Sequence, residues 1–113
     1  MEIYLKQAKK QTVIAKYCAD TNFATQFIGL MFSREVKQPL LFHGKGRISI
    51  HSFFCPVFDA VFLDEKHRVV KTLTVMPWNS LIAANAFHLI ELPSGTIAKY
   101  KIKKGDLLTW KEK

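Results

Sequence analysis

The most constraining feature of this sequence is a nearly continuous apolar run at residues 57–63, Val-Phe-Asp-Ala-Val-Phe-Leu. A polar turn, Asp-Glu-Lys-His, follows at residues 64–67, and residues 68–76 return as a second β-prone run. Short apolar or alternating runs bounded by turn residues are typical of β-strands. Residues 57–76 are therefore predicted to form two strands joined by a tight turn.

The rest of the chain contains further short runs of the same kind. They lie at residues 2–6, 12–18, 39–43, 48–51, 86–92 and 107–110. The first two are predicted to form an opening hairpin with a turn near Lys9-Lys10, and the next two a hairpin across the turn Gly-Lys-Gly-Arg at residues 44–47. About eight short strands, with no alternating βαβ pattern, indicate an antiparallel barrel or sandwich.

One helix is predicted at about residues 21–32, where apolar side chains recur at a helical spacing. Four residues fall at i, i+3, i+4 and i+7 along one face: Ala24, Phe27, Ile28 and Met31. A short second helical turn is predicted at about residues 96–100. The expected fold is thus mainly β (α+β), a small antiparallel β-barrel-like domain with one main helix and one short helical turn.

Length and cysteine content set the expected domain and compartment. The 113 residues fit a single domain, residues 1–113. The only two cysteines, Cys18 and Cys55, are too few for a disulfide scaffold or a cysteine zinc site, and a single bridge between them stays open.

The N-terminus lacks a signal-peptide run, and no stretch approaches the roughly 20 apolar residues that span a bilayer. We therefore expect a cytoplasmic monomer without a membrane span.

The chain is strongly basic, with a formal net charge of +8. Six lysines fall within residues 99–113, whereas the whole chain has three arginines. Such a charge attracts nucleic acid or other polyanions, but scarce arginine disfavours the reading of base sequence. Two interpretations follow, a lysine-rich solvated surface or a weak polyanion site.

Three ordered segments carry a family resemblance. They are Gly-Leu-Met-Phe-Ser-Arg-Glu at residues 29–35; Ile-His-Ser-Phe-Phe at 50–54 with Asp-Ala-Val-Phe-Leu-Asp at 59–64; and Leu-Ile-Glu-Leu-Pro-Ser-Gly-Thr at 89–96 with Ile-Lys-Lys-Gly-Asp at 102–106. In this order and spacing they resemble the domain-of-unknown-function family 192 of bacteria and archaea, over roughly residues 10–110. The resemblance implies a compact, mostly antiparallel, barrel-like β fold with one or two helices, and no established enzyme activity.

The chain departs from the family pattern at three places. Gln26 stands where the family usually has an arginine, and Cys55 stands near a usual methionine. The stretch between Phe54 and Asp59 is one residue short.

The four histidines do not predict a metal site. A regular hairpin places His43 opposite Ile48, and it places His43 and His51 on different faces. His67 lies in a charged turn and is expected to be solvated, while His88 alternates with apolar residues. No pair shows helical or zinc-finger spacing, so neither a metal nor a cofactor is predicted. His51 either lines a pocket or makes a hydrogen bond at a strand end.

Two carboxylates stand out because they interrupt apolar strands. Asp59 lies among valines and phenylalanines, and Glu91 lies beside Leu89. A buried carboxylate must find donors or shift its pKa upward. The pair could act as a general acid and base, or each could receive backbone N–H groups or a lysine as a structural partner.

The sequence contains no recognisable catalytic motif, and three functions stay open. The first is a binding or accessory module for an unidentified small molecule or protein partner, with a pocket or groove near Met31, His51, Phe53, Asp59 and Trp78. The second is an enzyme that uses Asp59, Glu91 or His51 as general acid or base. The third is weak polyanion or nucleic-acid binding through the lysine-rich C-terminal region.

Overall fold

The computed structural model describes residues 2–15, 19–20, 40–44, 46–50, 57–76 and 82–111. These residues are mostly β-strand, with one short helix. The elements are β1 (Glu2–Gln7), β2 (Lys10–Ala15), β3 (Ala19–Asp20), β4 (Leu40–His43), β5 (Ile48–Ile50), β6 (Phe58–Leu63), β7 (Val69–Val75), β8 (Ile82–Ala84), β9 (His88–Pro93), α1 (Thr96–Tyr100) and β10 (Leu107–Lys111).

The strands form three sheets. A five-stranded sheet has the order β3-β4-β9-β6-β7, a three-stranded sheet has the order β10-β1-β2, and β5 pairs with β8. All pairs are antiparallel except β3 and β4, which are parallel. The predicted antiparallel, mainly β fold is confirmed, and so are the β1–β2 and β6–β7 hairpins. Within the described residues the sheets do not close into a barrel, although an antiparallel bridge between Arg68 and Leu107 connects two of them.

The prediction that residues 39–43 and 48–51 form a hairpin is wrong. β4 pairs with β9, and β5 pairs with β8. The Gly44 N–H donates to the Phe87 carbonyl at 2.8 Å, and the Ala86 N–H donates to the Gly46 carbonyl at 3.1 Å. The two glycines after β4 are therefore hydrogen-bonded to the segment just before β9, and they do not turn the chain back onto β4. A Cβ on Gly44 would lie 2.7 Å from Ile48 Cγ1, so any other residue here would force the Ile48 side chain to move.

Two apolar cores lie on the two faces of the five-stranded sheet. The first, packed against the three-stranded sheet, includes Leu5, Leu108, Val61 and Ile90. The second, which includes Ile48 of β5, contains three buried phenylalanines: Phe42, Phe58 and Phe62. β6 is buried along its whole length because both of its faces are covered, which explains its nearly continuous apolar sequence.

The predicted helical turn at residues 96–100 is present as α1, Thr96–Tyr100. The main helix predicted at residues 21–32 lies outside the described residues. No helix in the part of the chain that the structure describes is long and apolar enough to cross a membrane.

Candidate functional site

The structure describes two of the six predicted site residues. Asp59 lies in β6 and Glu91 in β9. The other four lie outside the described residues: Met31, His51, Phe53 and Trp78. Cys18 and Cys55 lie outside them as well, so the question of a bridge between them stays open.

The Asp59 carboxylate is buried, with 1% of the residue exposed, and it is surrounded by hydrogen-bond donors. One oxygen accepts the Thr74 hydroxyl at 2.8 Å. The other accepts the backbone N–H groups of Gly95 at 3.0 Å and Ile97 at 2.9 Å. These two N–H groups belong to the start of α1, where no intrahelical carbonyl is available to them. Asp59 therefore attaches α1 to the central strand.

Asp59 and Glu91 are not brought together. In the β6–β9 register, Asp59 lies opposite Leu92, whereas Glu91 lies opposite Ala60. Residues opposite each other in a sheet share a face, and neighbours along a strand alternate. Asp59 therefore faces the first core, and Glu91, which is 2% exposed, faces the second. The sheet separates the two carboxylates, so this geometry offers no acid–base pair.

Three histidines and a tryptophan meet where β4 ends and β9 begins. His43 and His88 are directly opposite in the register, and their Nδ1 atoms are 2.8 Å apart. The His88 ring contacts the edges of His67 and Trp110, with centroid distances of 4.9 and 5.1 Å. Sequence reasoning missed this group, which we call the histidine cluster (His43, His67, His88 and Trp110), because it depends on the non-local pairing of β4 with β9.

His67, which is predicted to be solvated, is only partly exposed, because one face of its ring stacks on Trp110. The ring centroids are 4.1 Å apart and the planes are 16° from parallel. The turn that carries His67 is held by Asp64, whose carboxylate accepts the backbone N–H groups of Lys66 at 2.9 Å and Arg68 at 3.0 Å. His67 itself has a left-handed backbone, with φ of 67°. The turn thus fixes the ring position.

The cluster lowers the pKa of two of its imidazoles. Burial, followed by the neighbouring His67 and His43, lowers the pKa of His88 to about 4, and Asp64 opposes this shift. Burial also lowers the pKa of His67, against the opposing charge of Asp64 and with a smaller contribution from His43. Both rings are therefore neutral near pH 7. Among the residues that the structure describes, no three His, Cys, Asp or Glu side chains are arranged to hold a metal ion.

A second group of polar residues lies where the β1–β2 turn meets the loop after α1. The two N–H groups of the Gln7 side-chain amide are shared among three acceptors, the Lys101 carbonyl at 2.9 Å, the Tyr100 carbonyl at 3.2 Å and the Asp106 carboxylate at 2.9 Å. Asp106 also accepts the Lys103 backbone N–H at 3.0 Å. Gln7 therefore fastens together two loops that are about ninety residues apart.

Exposed cations from three parts of the chain lie in this junction or beside it in the sequence. We call the group the basic end: Lys6, Lys9, Arg68, Lys101, Lys103 and Lys104. A cleft of about 270 Å³ lies within it, lined by Lys6, Ala8, Arg68, Gly105, Asp106 and Leu107. The Arg68 guanidinium donates to the Gly105 carbonyl at 3.0 Å, which holds it at the cleft. The one carboxylate in the lining, that of Asp106, is engaged by Gln7 and Lys103.

Solved structures with the same fold are known. The chain is similar to a protein of unknown function from Novosphingobium aromaticivorans, with a TM-score of 0.79, 21% identity, and coverage of 96% of this chain and 84% of that one. It is also similar to a putative transcription regulator from Sinorhizobium meliloti, with a TM-score of 0.79, 16% identity, and coverage of 96% and 91%. At these identities the likeness shows the fold alone.

Two of the proteins with similar sequences are UPF0127 proteins. A UPF0127 protein of Thermococcus kodakarensis is 35% identical over 98 residues, which are 81% of this chain and 62% of the relative. A UPF0127 protein of Pyrococcus horikoshii is 35% identical over 95 residues, 79% of this chain and 82% of the relative. This chain thus spans less than two thirds of the first relative. The model of domain-of-unknown-function family 192, described as "Uncharacterized ACR", matches residues 3–110, and the chain belongs to this family.

Proposed function

We propose that this protein is a binding module whose ligand carries phosphate groups and binds at the basic end. The observation that carries the proposal is the cleft lined by Lys6 and Arg68, which lies beside the junction where Gln7 joins the β1–β2 hairpin to the lysine-bearing loop after α1. This proposal refines the third of the functions drawn from the sequence, because lysines near the N-terminus and Arg68 join those near the C-terminus.

The chemistry of the cleft suits an oxyanion. Lys6 supplies a flexible ammonium group, and Arg68 supplies a planar guanidinium that is already oriented by its bond to Gly105. A guanidinium has five N–H donors and can present two of them to one phosphate. The Asp106 carboxylate would repel an anion, but its charge is offset by Lys103, whose Nζ is 3.6 Å away.

The size and charge of the basic end favour contacts to phosphate over contacts to bases. A cleft of about 270 Å³ accommodates a phosphate and its immediate substituent, while the surrounding lysines extend the positive surface. Exposed lysines bind a polyanion mainly by releasing its counterions, which makes the affinity fall steeply with salt. One structural neighbour is named a putative transcription regulator, but at 16% identity its name adds no support.

The test is fluorescence anisotropy with a labelled single-stranded oligonucleotide of mixed sequence, over a salt series. We expect the triple variant Lys6→Gln, Lys101→Gln, Lys104→Gln to bind more than about tenfold more weakly. The slope of the logarithm of affinity against the logarithm of salt concentration should become shallower by about 0.7 for each phosphate contact that is lost. The matched single-charge comparison is Lys6→Gln against Lys71→Gln, since Lys71 is an exposed lysine in the middle of β7. Equal effects of these two substitutions, or no binding at low salt, would overturn the proposal.

Competition separates the sources of phosphate. Inorganic phosphate or a nucleoside monophosphate that displaces the oligonucleotide at millimolar concentration indicates a small phosphate ester as the ligand. Displacement only by longer oligonucleotides indicates a polyanion that uses the whole basic end.

The other two functions have less support in the described residues. A small-molecule pocket near Met31, His51, Phe53, Asp59 and Trp78 stays a prediction, because four of these residues lie outside the described residues. An enzyme that pairs Asp59 with Glu91 is not supported by their positions on opposite faces of the sheet. The hydrogen bonds of Asp59 support a structural role for this carboxylate.

A further inference from the structure

We propose that His43 and His88 form a two-imidazole clasp for a divalent transition-metal ion with square-planar or octahedral preference, such as Cu²⁺ or Ni²⁺. The proposal is independent of the basic end and rests on the cross-strand pairing of these two side chains. Water would complete the coordination, so the clasp needs no third protein ligand.

The backbone positions the two imidazoles rigidly. His43 and His88 are register partners on β4 and β9, and His88 is paired on its other side with Leu63 of β6. The Gly44 N–H donates to the Phe87 carbonyl at 2.8 Å, so the pairing continues one residue beyond His43. Two ligands on paired, central strands cannot drift apart as two ligands on loops can. This preorganisation is what a bidentate site requires.

The distance between the two ring nitrogens bears on the coordination geometry of the ion. The two Nδ1 atoms are 2.8 Å apart, and the rings are nearly perpendicular, at 88°. Two imidazole nitrogens at about 2.0 Å from one ion are about 2.8 Å apart when the angle at the ion is 90°, and about 3.3 Å apart when it is tetrahedral. The spacing of the hydrogen-bonded pair is thus already that of adjacent positions of a square-planar or octahedral ion, whereas a tetrahedral ion would need the two nitrogens to move about 0.5 Å further apart.

The chemistry of the pair is compatible with a cation. A hydrogen bond between two Nδ1 atoms requires that at least one ring be neutral, with a lone pair directed at its partner. The donor ring can carry its proton on Nε2 instead of Nδ1, so that both Nδ1 atoms have lone pairs for a metal ion without loss of a proton. His43 is exposed, so its ring can turn toward a shared ion. Imidazole is a preferred ligand of Cu²⁺ and Ni²⁺.

Trp110 and His67 form the wall behind the clasp. The Trp110 ring centroid is 5.1 Å from that of His88 and 6.1 Å from that of His43. His67 is stacked flat on Trp110, which holds the wall in place. An aromatic wall that limits ring movement acts as the outer layer of a metal site. It also places a fluorophore within reach of a bound paramagnetic ion.

The first experiment is isothermal titration calorimetry of the untagged protein with CuCl₂, NiCl₂, ZnCl₂ and MgCl₂ in a non-coordinating buffer. We expect one Cu²⁺ per chain, Ni²⁺ bound at least as tightly as Zn²⁺, and no heat with Mg²⁺. His43→Gln and His88→Gln should each weaken Cu²⁺ binding by more than about tenfold, a loss seen even when an outer-layer partner of a metal ligand is removed. Lys71→Gln, at an exposed position of β7 away from the histidine cluster, is the control, and it should leave Cu²⁺ binding unchanged.

The second experiment uses the unaltered protein, so it does not depend on the folding of any variant. The electron paramagnetic resonance spectrum of the protein with one equivalent of Cu²⁺ should show nitrogen superhyperfine structure and a tetragonal g tensor. Binding that survives in the His43→Gln, His88→Gln double variant would overturn the proposal. A spectrum without nitrogen coupling, or Zn²⁺ bound more tightly than Ni²⁺, would overturn it as well.

Discussion

The carboxylate of Asp59 in β6 accepts a hydrogen bond of 2.9 Å from the backbone N–H of Ile97 in the first turn of α1. The same oxygen accepts the Gly95 N–H at 3.0 Å. A short helix buries little surface of its own, and α1 has no side-chain cap of its own. Its position therefore depends on a buried carboxylate from a strand 38 residues earlier in the chain.

Asp59→Ala should lower the free energy of unfolding by about 3 kcal/mol, because two backbone N–H groups lose a charged acceptor in a buried site. Asp59→Asn should lower it less, since the amide oxygen can still accept from Gly95 and Ile97 while the NH₂ group donates to Thr74. Urea unfolding followed by circular dichroism measures both. Glu65→Ala removes an exposed carboxylate in the β6–β7 turn and should change stability by less than about 0.5 kcal/mol. An Asp59→Ala variant as stable as the parent would contradict the structural role.

Gly95→Ala tests the backbone at the same junction. Gly95 has φ of 95°, a conformation that an alanine adopts only with strain, yet no atom lies within 4 Å of the position of an added Cβ. The substitution should therefore destabilise the protein by about 1–2 kcal/mol through backbone strain alone. Thermal unfolding compares it with Ser94→Ala, the exposed neighbour, which should be close to neutral. If the Gly95→Ala and Ser94→Ala variants had the same melting temperature, the loop would be able to relax the strain.

Gln7→Glu should loosen the junction between the two loops of the basic end. The Gln7 amide nitrogen donates to two carbonyls and to Asp106, and a carboxylate in its place would direct a negative charge at all three acceptors. We expect a loss of about 2 kcal/mol at pH 7, much of it recovered at acidic pH, where the new carboxyl group is protonated. Chemical unfolding at pH 7 and pH 4 measures the change.

Gln11→Glu is the matched control for this prediction, because it makes the same chemical change at an exposed position of β2 opposite Lys6. It should leave stability almost unchanged at both pH values. Equal effects of the two substitutions would mean that the added charge, and not the three lost hydrogen bonds, is responsible. If Gln7→Glu also weakens oligonucleotide binding, the arrangement of the basic end depends on this junction.

The sequence predicts what is local and misses what is not. The β6–β7 hairpin follows from an apolar run, a polar turn and a returning run, all within about twenty residues. The pairing of β4 with β9 joins residues 45 positions apart, at His43 and His88, and no turn signal marks it. The glycines after β4 resemble a hairpin turn, although their hydrogen bonds run to the segment before β9.

The candidate sites show the same difference between local features, which the sequence predicts, and non-local ones, which it does not. Alternation along a strand correctly indicates that Asp59 and Glu91 interrupt apolar surfaces. Whether the two carboxylates meet depends on the register between β6 and β9, which the alternation within each strand does not contain. The histidine cluster requires the pairing of β4 with β9, the pairing of β6 with β9, and the bridge between Arg68 and Leu107 that brings β10 to the turn carrying His67. It therefore appears only in the folded chain.

His88 should titrate far below an ordinary histidine in metal-free buffer. Burial and the neighbouring His67 and His43 lower its pKa to about 4, against the opposing effect of Asp64. Two-dimensional NMR of the imidazole nitrogens against pH measures this value directly. A His88 ring that titrates near 6.5, the value of an exposed histidine, would contradict the arrangement of the cluster.

The lowered pKa also sets a direction for the dependence of stability on pH. Between about pH 6.5 and pH 4 the unfolded chain binds a proton at His88 that the folded chain does not bind. The free energy of unfolding therefore decreases as the pH falls through this window. Above about pH 6.5 His88 is neutral in both states and makes no contribution to the pH dependence. His67, whose pKa is also lowered, acts in the same direction. His88→Gln should therefore flatten the decrease between pH 6.5 and 4 in urea-unfolding experiments. An unchanged slope in this variant would assign the acid sensitivity to other groups.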